Sequence, residues 1–280
     1  MHLTKTVKSL AAIGLALGVS LSSAVAQQGV SDDEIVIGAH TALSGPAAIW
    51  GVDSTKLARM MFEEVNAKGG IHGRKIRYIV EDTQYQVPLA VKAVNKLLNR
   101  DKIFAMHLAL GTGHNNAVFK RQFAKNVPNL FPLTGAVSMG EPFHKLKFQS
   151  LSTYRQQTRA GIRYFHKVKG HERICTFVQD TDYGQEIIDA VDAEVEELGL
   201  KLVAATKHKP TETEFVGTMT SLKNANCDLI VFGTIIADAI RGYSTARKIG
   251  VTADIIANVA SSDRLVAGAK NGATEGFYVA

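Results

Sequence analysis

Proline, cysteine and tryptophan are scarce in this chain, at six, two and one in 280 residues. Six prolines against 24 glycines exclude a Pro-rich linker or a collagen-like repeat and suit a fold with many strand-to-helix turns. The two cysteines, Cys175 and Cys227, have no paired histidines and so make no zinc pattern. Each stands in an apolar run, Ile174 to Val178 and Cys227 to Val231, and reads as a buried free thiol in a strand. A disulfide requires those two strands to be neighbours. Catalytic signatures are missing too: there is no Walker A run, no H-E-x-x-H, no G-x-S-x-G, and Gly111-x-Gly113 lacks the third glycine of a dinucleotide fingerprint. His107 and His114 lie near one loop and Asp180 and Asp182 near another; they read as scattered polar loop residues. No catalysis, cofactor or metal is expected. The formal charge of +6 is small, and acidic residues are interspersed with basic ones, which excludes a nucleic-acid partner.

What is present begins with an address. Residues 1–26 read as a secretory signal peptide: Lys5 and Lys8, then an apolar stretch from Leu10 to Leu21, then Ala24-Val25-Ala26 as an A-x-A cleavage site. The stretch is short and interrupted by Gly and Ser, unlike a membrane anchor. Cleavage after Ala26 removes both lysines and lowers the charge to +4. No cysteine lies near the site to carry a lipid, so the expected product is exported, soluble and periplasmic.

From there strand-like and helix-like runs alternate. Strands are expected over 34–39, 75–81, 103–110 and 129–133, and helices over 51–68, 87–99 and 116–124. In the first helix Leu57, Met60, Met61 and Val65 form one apolar face. The rhythm restarts with helices over 156–167, 185–198, 212–224 and 238–249 and strands over 173–179, 201–206, 228–233 and 255–259. Thr211 and Glu214 have capping-box spacing before the third of these helices. The pattern predicts an α/β fold of parallel sheets with helices on both faces. Polar residues between 148 and 154 mark a lobe boundary. The expected division is a first lobe over 27–150 and a second over 151–276. A cleft between two such lobes places ligand groups on the loops after strand C-termini. Those loops are 41–50, 110–115, 134–140, 180–184 and 234–238.

The run Ala42-Leu43-Ser44-Gly45-Pro46, then Gly51, then Val65-Asn66-Ala67-Lys68-Gly69-Gly70-Ile71-x-Gly73-Arg74, then Glu81-Asp82-Thr83 resembles the periplasmic branched-chain amino acid-binding proteins of ABC transporters. Asp182-Tyr183-Gly184 and Asp228-Leu229-Ile230-Val231-Phe232-Gly233 extend the likeness, which spans residues 34–280 in order. The resemblance implies a type I periplasmic binding protein: two lobes, three hinge crossings and closure on a small carboxylate ligand. It implies a monomer that delivers to an inner-membrane permease and ATPase; a ligand sensor uses the same fold.

Site residues carry over with the resemblance. Trp50 and Tyr183 match aromatic positions beside the ligand. Leu110, Gly111 and Thr112 match one carboxylate-holding loop, and Thr134, Gly135 and Ala136 the second. Asp238 matches the acid that pairs with a ligand ammonium. Leu110 and Gly111 stand where consecutive serines are usual, and Ala136 where Thr is usual. With Tyr154-Arg155 these departures resemble a branch that handles aromatic or other organic acids and amides. The disulfide common in the first lobe has no counterpart at Thr83 and Ala109. Residues 276–280 resemble the strand that starts the return to the first lobe, and the resemblance implies a further segment after Ala280.

Overall fold

The computed structural model describes residues 27–280. The expected signal peptide and its expected cleavage site lie outside the described residues.

Two five-stranded parallel sheets form two lobes. The first contains β1 (Glu34–Thr41), β2 (Lys75–Asp82), β3 (Ala105–His107), β4 (Asn129–Leu130) and β5 (Lys147–Phe148), in the order β2-β1-β3-β4-β5. Its helices are α1 (Ala48–Ala67), α2 (Val87–Asn99), α3 (Thr112–Asn116) and α4 (Phe119–Ala124). The second contains β6 (Arg173–Gln179), β7 (Lys201–His208), β8 (Leu229–Gly233), β9 (Asp254–Ala257) and β10 (Phe277–Val279). Its helices are α5 (Tyr154–Lys169), α6 (Asp182–Glu197), α7 (Val216–Asn224), α8 (Ile236–Lys248) and α9 (Arg264–Ala267). Its order, β7-β6-β8-β9-β10, repeats that of the first. In such a sheet the chain reverses direction between β1 and β3, or β6 and β8, and a crevice opens at their C-terminal ends.

Strand β6 shows why its sequence is apolar throughout. Ile174 and Val178 pack toward α5 and α6 with Phe165, Ile187 and Val191. Cys175 and Phe177 pack on the opposite face with Phe215, Phe232 and Tyr243. Both faces are covered, so no alternation is needed.

Several expectations are corrected. Cys175 and Cys227 are not free thiols: β6 and β8 are neighbours, the Cα atoms lie 5.9 Å apart, and the two are joined by a disulfide. The helix expected over 116–124 is two short helices, because α3 starts earlier, at Thr112. Strands β3 and β4 are shorter than their apolar runs, and β5 is a two-residue strand without a readable pattern. Thr211 and Glu214 cap nothing, since α7 begins at Val216 with Phe215 as its N-cap. A capping box forms instead at Thr153 and Gln156, where α5 leaves the lobe boundary. Residues 277–279 pair with β9 in the second sheet. The stripe on α1 is also reversed: Leu57, Met60 and Met61 are 57–61 % exposed, while Gly51, Thr55 and Ala58 are buried.

The candidate ligand cleft

The loops that follow the strands are set by specific contacts. Asp82, at the end of β2, accepts hydrogen bonds from the backbone N–H groups of Leu43, Ser44 and Gln84 and from the Ser44 hydroxyl. Burial raises its pKa, but these four donors outweigh it and hold the carboxyl below its usual range. The Thr83 hydroxyl donates to the Thr41 carbonyl. The Glu-Asp-Thr run therefore fixes the turn that leads to Trp50. Gly51 lets α1 press on this turn, for a Cβ there would lie 2.1 Å from the Ala42 carbonyl oxygen. The second lobe repeats the device: a Cβ on Gly184 would lie 1.8 Å from the Gln179 carbonyl oxygen.

Between the lobes the strand ends enclose an inner chamber of about 100 Å³. Ala47, Trp50, Leu110, Gly111, Thr112, Leu133 and Thr134 line it from the first lobe, after β1, β3 and β4. Tyr183, Ile235, Val259 and Ala260 line it from the second, after β6, β8 and β9, with Tyr154 at the boundary. Tyr85, after β2, and Leu151 complete the wall. On a comparable measure a 150 Å³ apolar cavity holds benzene. This chamber is smaller and suits a short branched chain.

Polar groups in this wall are few. The hydroxyls of Thr112 and Thr134 lie 2.8 Å apart, and Thr134 Oγ1 also accepts from the Ala136 N–H. The buried indole N–H of Trp50 has no partner. Tyr154 and Tyr183 meet edge to face at 4.9 Å. The Tyr183 hydroxyl donates to Asn258 Oδ1 and lies 3.3 Å from the Thr234 carbonyl. Burial pushes its pKa well above the ordinary value, so it stays protonated.

A larger outer chamber of about 730 Å³ shares Tyr85, Thr112 and Tyr183 with the inner one. Ser44, Gln84, His114, Asp180, Thr181 and Asp182 are among its walls, and no lysine or arginine lines it. The lobes touch beside it. The Asn116 side-chain amide donates to Asp182 Oδ2 at 2.9 Å, and the Val137 N–H donates to Glu186 Oε1 at 2.6 Å. Farther out Arg264 pairs with Asp53 at 3.3 Å.

Seven of the ten residues expected at the site line the inner chamber: Trp50, Leu110, Gly111, Thr112, Thr134, Tyr154 and Tyr183. Gly135 and Ala136 lie just behind it; a Cβ on Gly135 would come within 3.0 Å of the Tyr154 ring. Asp238 does not line either chamber. It is 2 % exposed and accepts hydrogen bonds from Gln179 Nε2 and the Thr234 hydroxyl, with Arg241 3.9 Å away. Burial raises its pKa, partly offset by those bonds and by His208. The residues expected from sequence leave out Ala47, Tyr85, Leu133, Leu151, Ile235, Val259 and Ala260, which apart from Tyr85 have no polar signature. A sheet-end rule extended to β2, β4 and β9 finds all but Leu151.

Two parallel α/β lobes with an enclosed cleft at their facing strand ends define a two-lobed solute-binding architecture. The chain belongs to the periplasmic binding protein family, whose model matches residues 34–280. An amino acid binding protein of Pseudomonas aeruginosa is 25 % identical over 85 % of this chain and 63 % of its own length. A Leu/Ile/Val-binding protein homolog of Brucella suis is 23 % identical over 79 % of this chain and 60 % of its own. Among solved structures, a fatty acid ABC transporter substrate-binding protein from Thermomonospora curvata superposes with a TM-score of 0.81 at 24 % identity. It covers 90 % of this chain and 64 % of that one. The chain thus spans about three fifths of the length of these relatives.

Proposed function

We propose that this is a periplasmic solute-binding protein of an ABC importer, which takes a branched-chain or other hydrophobic amino acid into the cleft by hinge closure. The inner chamber carries the reading. Its aromatic and aliphatic wall fits a short apolar side chain, and the Thr112 and Thr134 hydroxyls offer a place for a carboxylate. Hydrogen bonds to a charged group contribute about 1.5–3 kcal/mol each, which suits selective capture of a small ion. The names of the Pseudomonas and Brucella relatives support an amino acid ligand, and the family supports export to the periplasm. A second reading, an organic acid or amide without an α-ammonium, is favoured by the position of Asp238 behind the wall.

A thermal-shift screen of the mature chain against amino acids, aromatic acids and small amides tests the reading. Ligand at 100 times its Kd stabilises by about 2.7 kcal/mol. Trp50, the only tryptophan, reports the same event: its fluorescence shifts saturably with the calorimetric midpoint, and Trp50→Ala lowers affinity. A melting temperature raised by sugars alone refutes the proposal.

A further inference from the structure

Three residues, Tyr85, Thr112 and Tyr183, line both chambers and so form the wall between them. Two of the three are pinned by hydrogen bonds. The Thr112 hydroxyl is bound to that of Thr134, and the Tyr183 hydroxyl donates to Asn258. Tyr85 is held by packing. Its ring stacks on His114 at 4.8 Å and joins the apolar cluster of Ala42, Ala47 and Leu110 from the first lobe and Ile235 from the second. On one side of this wall lie about 100 Å³ of apolar space, and on the other about 730 Å³ with polar groups among its lining.

The backbone that delivers this ring is unusual. Gln84 and Tyr85 have φ values of 52° and 58°, in the left-handed region that favours glycine. Side-chain-bearing residues persist there only where the surrounding structure enforces it. Here the enforcement is specific. Asp82 accepts the Gln84 N–H at 2.9 Å, and the Gln86 N–H donates to the Thr83 carbonyl at 2.8 Å. Gly45 lets the Gln84 carbonyl come close, for a Cβ there would lie 2.9 Å from that oxygen. The turn after β2 thus holds two residues in a disfavoured conformation, and its outcome is one aromatic ring set at the join of the chambers.

We propose that Tyr85 limits the size of the ligand side chain: its ring closes the inner chamber toward the outer one, so that the side chains of valine and leucine enter and an aromatic one is excluded. The inference rests on the cleft being the solute site. An apolar cavity of about 150 Å³ holds benzene, and the inner chamber falls short of that. Without the ring the inner space opens into the outer chamber and admits a larger side chain.

Titration calorimetry with two pairs of probes tests it. L-leucine is compared with L-phenylalanine, and isocaproate with hydrocinnamate, the same skeletons without the ammonium. The second pair serves if the ligand is an organic acid. In the wild type the branched probe should bind at least about tenfold more tightly than the aromatic one, the order of discrimination that contacts in an apolar pocket supply. Tyr85→Ala should lower that ratio by at least about tenfold. Tyr85→Leu keeps apolar packing without the reach of the ring and should lower it in the same direction. Tyr85→Phe keeps the ring and should keep the ratio; melting curves report the folding of all three variants. Aromatic probes that bind the wild type as tightly as branched ones overturn the assignment. So does a ratio unchanged in Tyr85→Ala and Tyr85→Leu, or one lost equally in Tyr85→Phe. In each of these cases binding of the probes shows that the cleft reading stands. If no probe of either pair binds the wild type, the cleft reading fails and the assignment falls with it.

Discussion

In the second lobe, β6 runs for seven residues between β7 and β8, and helices bury it on both faces. In the first lobe the equivalent strand, β1, is as long, but the strands beyond it shrink to three residues in β3 and two in each of β4 and β5. The cores differ in the same way. Two extended clusters fill the second lobe, with Phe165, Phe177, Phe215, Phe232 and Tyr243 almost wholly buried. The first has one comparable cluster around Leu97, Ile103 and Met106, under α2. On the α1 side the apolar cluster is small: Ala39, Ala58 and Tyr78 are its buried members, with Phe62 and Leu108 half-buried beside them. One strand order therefore supports two degrees of burial, and stability should follow burial rather than topology.

The largest expected effect concerns the second lobe, where the disulfide adds to the fuller core. It closes a separation of 52 residues. A loop of that length corresponds to about 4 kcal/mol of chain-entropy stabilisation. Replacing Cys175 and Cys227 together with alanine should lower the stability of the second lobe by about 2–4 kcal/mol, read by denaturant titration with probes in each lobe. An unchanged midpoint would place the lobe's stability in its apolar clusters alone.

This pairing also marks the limit of what the sequence discloses. Local pattern identifies nearly every strand, because runs such as Ile174 to Val178 are apolar enough to be read in isolation. Whether β6 and β8 are neighbours depends on sheet order, and that is a tertiary property. Strand β5 has two residues and no pattern to read. The site divides along the same line. Trp50, Thr112, Thr134 and Tyr183 follow strands and are found by position. Asp238 follows a strand too, yet Gln179 and Thr234 turn it away from the cleft, and neither contact has a sequence signature.

A second expectation sharpens the contrast through buried histidines. In the first lobe His40 is fully buried in β1, and neither ring nitrogen has a partner. Burial, with a smaller contribution from His114, lowers its pKa from 6.5 to about 3. In the second lobe His208 has Thr234 and Lys209 as partners, and its pKa is also lowered, chiefly by burial. A depressed histidine leaves the unfolded chain binding more protons between the two pKa values, so stability falls as pH drops below 6.5. The slope is about 1.4 kcal/mol per pH unit for one full proton, and the loss from His40 ends near pH 3. The first lobe should therefore lose stability first on acidification. His40→Leu should flatten its profile in that window, measured by denaturant midpoints from pH 7 to 4. A parallel decline in wild type and variant would assign the acid response to other groups.

The smallest expected effect lies on α1 and separates burial from periodicity. Leu57, Met60 and Met61 recur at helical spacing and read as a core-facing stripe. The structure instead turns Thr55 and Ala58 inward and leaves these three more than half exposed. The reason is visible at the start of the helix. Gly51 is pressed against the Ala42 carbonyl, which fixes the rotation of α1 about its axis. The Thr55 hydroxyl, one turn later on that face, donates to the Gly51 carbonyl at 2.6 Å and packs without an outside partner. Ala58, one turn further along the same face, is small and buried as well, and Phe62 beyond it packs against Tyr78, so Leu57, Met60 and Met61 fall outside that face. Substitutions of exposed side chains generally change stability by less than about 0.5 kcal/mol, whereas truncating a buried Leu, Ile or Met costs about 2–5 kcal/mol. Met60→Gln and Met61→Gln should therefore stay within the lower figure, while Met106→Ala, buried under α2 in the same lobe, should reach the higher one. Thermal melts of the three variants decide it. A loss at Met60 or Met61 as large as that at Met106 would show that this face of α1 is covered in the folded protein, and that the shallow burial of the first lobe is not intrinsic to it.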